Sequence, residues 1–237
     1  MTDAPAALRE AHHADVSGGW LRPAVFGAMD GLVTNIALIA GVGGGGVSPH
    51  SIVLTGTAGL VAGAISMGLG EYTSVRSANE QVAAEVAKER RELERHPEAE
   101  ARELADAWVA RGLPRDLATQ VAEAVRRDPE EALRVHVREE LGVDPDDQPS
   151  PWAAAISSLV FFSVGALIPL LPYLLGATEL WLALAVGGLG LSAAGAVVAR
   201  FTNRPWWTSG LRQLVLGAAA AAATYLVGSL IGVQGGL

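Results

Sequence analysis

LRPAVFGAMDGLVTNIALIAGVGGGG, Leu21–Gly46, is the stretch that decides the fold. After Arg22 its single charged residue is Asp30. A helix of about 20 apolar residues crosses a hydrocarbon core of about 30 Å, so this block predicts a membrane span. It does not read as a secretory signal, because Asp30 interrupts it and no short apolar region ends at a small-residue cleavage site. Four further apolar blocks follow: Ser51–Tyr72, Trp152–Leu175, Leu180–Ala199 and Leu211–Val233. The sequence therefore predicts an all-α membrane protein with five transmembrane helices.

Composition agrees. Of 237 residues, 50% are hydrophobic and only 18% charged, and the mean hydropathy is +0.31. The absence of cysteine excludes disulfides, thiolate zinc sites, iron–sulfur clusters and cysteine catalysis. A formal charge of −8 argues against nucleic acid as a partner.

Arg9 and Arg22 precede the first span, and Arg200, Arg204 and Arg212 lie around the fourth–fifth connection. The Gly41–His50 loop and the loop around Thr178–Glu179 carry no Lys or Arg. The positive-inside rule puts the N-terminus and the fourth–fifth connection in the cytoplasm, and the C-terminus outside. Trp20, Trp152, Trp181, Trp206 and Trp207 fall at predicted span ends, where amphipathic rings prefer the interface, whereas Trp108 does not. The arginine bias, with Lys88 the only lysine, suggests a prokaryotic source and hence a bacterial plasma membrane. The expected organisation is a cytoplasmic tail (1–20), spans one and two (21–75), a cytoplasmic helical domain (76–150) and spans three to five (151–237).

The 76–150 insertion is densely charged. The second span runs on through Ser77–Arg95 without a break signal. Pro97, Pro114 and the cap pair Asp128-Pro129 each open a further helix, ending near Gly112, Arg127 and Gly142. Leu104, Ala107, Trp108, Leu117, Val121, Val125, Leu133 and Val137 recur at helical spacing and predict a small core.

Carboxylates recur at ligand spacing in this insertion. Glu85, Glu89 and Glu92 share one helix face, and His96 extends the stripe. Glu100 and Glu103 are three apart, and His136 and Glu140 four apart. Like charges on one face repel, and a divalent cation offsets that repulsion. Oxygen donors with an imidazole suit iron(II), manganese(II) or zinc(II). The same spacing also describes an ordinary solvated face held by pairs such as Lys88 with Glu92. His12-His13 in the tail could touch a metal or simply belong to a solvated terminus.

Inside the spans, Asp30 is the sharper signal. An Asp at a helix centre costs about 2.5–3.5 kcal/mol on insertion scales, so it needs a partner helix, a cavity or an ion. Asn35 offers an amide carbonyl, Met67 a thioether and Glu71 a carboxylate near the cytoplasmic mouth. Apolar packing also accounts for Met67, and a bond to a neighbouring helix for Asp30. Gly27/Gly31 and Gly59/Gly63, four apart, permit close helix contact within or between subunits. Pro169 and Pro172 are expected to bend the third span.

FGAMDGLVTNIALIAGV (Phe26–Val42), GLVAGAISMGLGEYTSVRSANE (Gly59–Glu80), the acidic insertion and EELG (Glu139–Gly142) resemble the vacuolar iron transporter family. These are proton-coupled exporters of divalent metals, with prokaryotic members. The resemblance implies a homodimer of five-helix subunits. It implies metal ligands at Glu89, Glu92, Glu100, Glu103 and Glu140, and a path at the dimer interface through Asp30 and Met67, with Glu71 near the entry. The family often carries methionine in the last cytoplasmic helix. Here His136 stands there, as a nitrogen ligand in its place. No prosthetic group is expected, and Fe2+ or another divalent cation is the substrate. The alternative is a membrane-anchored metal sensor or delivery protein without transport. An intramembrane enzyme finds no support: there is no HExxH motif, and the one Glu-x-x-His spacing, Glu10 to His13, lies in the tail.

Overall fold

A computed structural model describes residues 19–202 and 204–235 of the chain. Arg9, His12 and His13 lie outside the described residues. Among those described, the fold is helical throughout: α1 (Leu21–Gly44), α2 (Pro49–Arg95), α3 (Pro97–Ala110), α4 (Arg115–Val125), α5 (Pro129–His136), a π-turn (Val137–Leu141), α6 (Pro151–Leu174), α7 (Leu180–Thr202) and α8 (Trp206–Gly235). Five of these, α1, α2, α6, α7 and α8, are long and apolar enough to cross a membrane.

Proline and hydroxyl caps set the boundaries. Pro49, Pro97, Pro129 and Pro151 occupy first-turn positions, where the missing N–H costs nothing. Ser48 Oγ accepts from Ser51 N at 3.3 Å, and Ser150 Oγ from Ala153 N at 3.3 Å. Asp128 Oδ1 accepts from Glu130 N and Glu131 N at 3.1 and 3.2 Å. Pro114 is a cap residue rather than the first helical one, so α4 begins at Arg115. Gly142, at φ 67°, ends the π-turn in the left-handed region, which glycine adopts without steric cost.

The bundle is built on α6, which packs against both α1 and α2; α8 closes on α1 and α7. Contact is at backbone distance. A Cβ on Gly27 would meet the Ser158 carbonyl oxygen at 2.6 Å, and one on Gly31 would collide with the Phe162 carbonyl. Gly63 receives the Phe162 ring in the same way. The glycine pairs of α1 and α2 thus serve contacts within the chain. Three apolar clusters stack along the bundle: Ala64, Phe162 and Ala166; then Leu32, Ile36 and Leu191; then Ile39, Ile52, Leu170, Tyr173 and Ala183. Pro169 and Pro172 lie inside a continuous α6, and Pro169 is buried.

Helix α2 spans 47 residues, or about 70 Å at about 1.5 Å per residue. Its second half leaves the bundle and forms one wall of the 76–150 insertion. The Tyr72 ring lies 4.8 Å from that of Trp152, and Asn79 Nδ2 donates to Pro149 O at 3.0 Å. These contacts tie α2 to the start of α6 at the level of the exposed Trp20 and Trp152. The insertion has its own core of Ala101, Leu104, Ala105, Ala118 and Ala122, with Trp108 and Val125 packed against it. Leu133 and Val137 are also buried, but Leu117 is 49% exposed, against expectation. Alanines at Ala118 and Ala122 let α3 and α4 approach closely, so the buried face of α4 lies one residue away from Leu117.

Gly31→Ala is expected to destabilise the chain by about 1–3 kcal/mol, because the added methyl must force α1 from the α6 backbone. A thermal unfolding curve of purified protein in detergent measures it. An unchanged midpoint would mean that the helices can separate freely there.

Candidate metal centre

Four elements converge in the insertion. Glu89 comes from α2, Glu100 from the first turn of α3, His136 from the end of α5 and Glu140 from the π-turn. One ligand atom from each lies within 4.8 Å of the others. His136 Nδ1 is 3.2 Å from Glu89 Oε1, 3.3 Å from Glu140 Oε1 and 3.9 Å from Glu100 Oε2. Glu89 and His136 are 7% and 2% exposed, unusual for ionisable residues. Glu89 Oε1 is buried without a hydrogen bond.

This donor set fits a divalent cation. Donors about 2.1 Å from one ion stand at most about 4.2 Å apart, so closure needs shifts of roughly half an ångström. Three carboxylates and one imidazole suit Fe2+, Mn2+ or Zn2+. The crowding is visible in the protonation of Glu89, whose carboxyl is pushed up from 4.5 to about 7 by burial first, then by Glu140, Glu100, Glu92 and Glu103. Glu100 is raised too, by burial and then by Glu103, against the opposing effect of His136. A cation placed among these groups relieves both causes.

The other candidate residues are placed as follows. Glu92 is half-buried and Glu103 exposed. Both are outside the tight cluster and near enough to raise Glu89. Glu85 is exposed on α2, and His96 is the exposed junction of α2 and α3. In the bundle, Asp30 is half-buried, with the Thr34 hydroxyl donating to its Oδ1 at 3.4 Å. No ion pair engages Asp30 among the described residues. Met67 is half-buried and packs against Ala64, Phe162 and Ala166. Glu71 is half-buried beside Tyr72, at the tryptophan level. Asn35 is 1% exposed; its Nδ2 donates to Ala166 O at 2.6 Å, and its Oδ1 has no partner.

Sequence reading missed the π-turn and what holds it. Glu139 is ion-paired with Arg111 at the end of α3, and Trp108 Nε1 points at its Oε1 from 3.5 Å. With Glu139 clamped on one side, its neighbour Glu140 is presented to His136 on the other. The signals were the unexplained Trp108 and the adjacent acids before Gly142.

Bundle and insertion together define a class: proteins with helices of membrane-spanning length that carry a candidate cation site on a charged helical insertion. A model described as the VIT family matches residues 21–229, and the chain belongs to that family. Similar proteins include vacuolar iron transporter 1 of Oryza sativa subsp. japonica, 34% identical over 233 residues, covering 95% of this chain and 92% of the relative. The vacuolar iron transporter of Acanthamoeba castellanii is 36% identical over 235 residues, covering 95% and 84%. Vacuolar iron transporter 1 of Arabidopsis thaliana is 31% identical over 226 residues, covering 93% and 90%.

Two outcomes are expected. Between pH about 4.5 and about 7, the folded chain holds a proton on Glu89 that the unfolded chain releases. The metal-free chain should therefore lose stability as pH rises through that window, by up to about 3 kcal/mol, and saturating Mn2+ should cancel the slope. Unfolding midpoints across that range, with and without Mn2+, measure it. Second, Glu139→Ala should weaken Co2+ binding at least about tenfold and alter the Co2+ absorption spectrum, since one ligand is no longer presented. In a Glu140→Gln background the same change should add little.

Proposed function

We propose that the chain is a divalent-metal transporter that moves Fe2+, and also Mn2+, out of the cytoplasm in exchange for protons, working as a homodimer in the membrane. One observation carries this reading. The same helix, α2, bears the buried ligand Glu89 at one end and Glu71 and Met67 at the membrane end. Glu71 and Glu89 are eighteen residues apart; at about 100° per residue they share one azimuth, about 27 Å apart along the axis. The names of the relatives support iron as the substrate.

In this mechanism the insertion faces the cytoplasm and concentrates metal. Glu89, Glu100, Glu140 and His136 bind it while Glu92 and Glu103 add negative field. The ion then leaves for Glu71 at the mouth, passes the Met67 thioether and reaches Asp30. Gly31 packs on Phe162, and Phe162 on Gly63, so Asp30 stands at about the height of Gly63–Met67. A carboxylate there takes a metal ion or a proton, and each displaces the other. Inward proton flow thereby drives metal outward. The outer faces of α2, with Leu54, Val61, Ile65 and Leu69 exposed, supply the apolar surface for the second subunit, which closes the path beside Asp30.

Proteoliposome uptake tests the reading. Asp30→Asn should reduce Fe2+ and Mn2+ transport at least about tenfold, a loss of about 1.4 kcal/mol or more of transition-state stabilisation, while metal binding at the insertion persists. Normal transport by that variant would refute the path, and binding without any wild-type transport would make the protein a sensor.

A further inference from the structure

The sequence contains no Asp or Glu after Glu179, yet Arg200, Arg204 and Arg212 all lie in that stretch. In the insertion the opposite holds, and most arginines are paired with carboxylates, as in Arg90–Glu130 at 2.7 Å and Arg134–Glu131 at 2.7 Å. Arg200 and Arg204 have no ion pair among the described residues. They flank a cleft of about 670 Å3 where α7 passes into α8, with Trp206 beside them and Ala196, Val197 and Ala199 lining the rest. Trp206 and Trp207 are 69% and 58% exposed at the start of α8.

The chemistry of this cleft is two-part. Its mouth carries two guanidiniums, whose planar donor forks match phosphate oxygens. It opens beside the N-terminal turn of α8, whose dipole also favours an anion. Its wall is small and apolar, with indole rings of the kind that settle at headgroup level. A free phosphate would use the mouth and leave the wall wet. A phospholipid uses both.

We propose that this cleft binds the phosphodiester headgroup of an anionic phospholipid, with Arg200 and Arg204 holding the phosphate and the acyl chain lying along Ala196–Ala199. The proposal rests on the reading of α7 and α8 as spans, and it is independent of the metal path. Basic pockets between spans on the cytoplasmic side are suited to such headgroups. The lipid supplies the counter-anion that the stretch after Glu179 lacks.

The test is native mass spectrometry of the full chain released from detergent containing equal phosphatidylglycerol and phosphatidylcholine. The wild type should retain phosphatidylglycerol in preference to phosphatidylcholine. Arg200→Gln/Arg204→Gln should lose that preference at least about tenfold in apparent affinity, while Arg91→Gln/Arg95→Gln on α2 keeps it. An unchanged unfolding midpoint in phosphatidylcholine alone shows that the variant is folded, and Arg200→Lys/Arg204→Lys should retain part of the preference. Equal retention by wild type and the glutamine variant overturns the site. Displacement of the lipid by millimolar inorganic phosphate overturns the lipid assignment. Failure of the wild type to enter liposomes at all would instead strike at the reading of the spans.

Discussion

The continuity of α2 is the constraint on which the remaining structure depends. Two different causes hold one helix together. Its bundle half contains Gly56, Gly59, Gly63, Gly68 and Gly70, each costing about 1 kcal/mol of helix propensity relative to alanine. That half is held by its neighbours: Gly63 by the Phe162 ring, Gly56 by Leu170, and Gly68 by Ala155 and Leu159. Its outer half, rich in Ala, Glu and Arg, needs little packing to stay helical. No proline interrupts the run until Pro97. The candidate cation site and the membrane-level acid are consequently held at a fixed distance and on one azimuth. Between Glu71 and Glu85, a gap of about 21 Å, the one α2 carboxylate is Glu80, which lies about 180° away from that line and pairs with Arg76. In the proposed path, metal from the insertion would cross that gap through water or by movement of the insertion about α2.

The two acidic locations solve one electrostatic problem in different media. In the insertion, Glu89 is buried among carboxylates, and without a cation it holds its proton up to about pH 7. His136 only partly compensates, since its Nδ1 is shared among Glu89, Glu140 and Glu100. In the bundle, Asp30 has, among the described residues, only the Thr34 hydroxyl at 3.4 Å. Among the described residues neither place has a Lys or Arg partner, although arginines pair readily with exposed acids elsewhere in the insertion. A lysine or arginine at either location would satisfy the carboxylates permanently and exclude a metal ion. Leaving them underpaired costs stability and keeps them available.

How much of this was legible depended on whether the signal was local. The five helices of membrane-spanning length and the helix starts at Pro97 and Pro129 follow from apolar length and cap chemistry, both written in neighbouring residues. The 85/89/92 stripe was also visible, but not which member would be buried, because burial of Glu89 depends on α3 and α5 folding back over α2. The convergence of Glu100, His136 and Glu140 on Glu89 is tertiary and has no periodicity to betray it. The π-turn was hidden for a related reason: VREEL reads as one more α-helical turn until Arg111 and Trp108, about thirty residues earlier, take hold of Glu139. Leu104, Leu133 and Val137 are buried as expected, and one core position was misjudged by side-chain size. Large Leu117 was expected inside, whereas Ala118 and Ala122 are, because helices this short gain more from close approach than from bulk.

Asn35 shows how a residue in the right place can serve the bundle rather than the ion. Asp30 and Asn35 are five residues apart, which turns them about 140° from each other on an α-helix. One ion cannot contact both unless α1 unwinds, and α1 is regular from Leu21 to Gly44. The amide of Asn35 is already committed to Ala166 O at 2.6 Å, on the face that receives α6. Its carbonyl looks toward Gly56 and Gly59 of α2, whose own close neighbours are the Leu170 and Leu38 side chains. Such a bond between helices is modest in energy but directional, so it helps fix rotation about the α1 axis. That bond and the close packing of Gly27 and Gly31 on α6 together set the rotation of the helix that carries Asp30. The buried amide therefore acts on the acid at a distance, through the orientation of the helix that carries both.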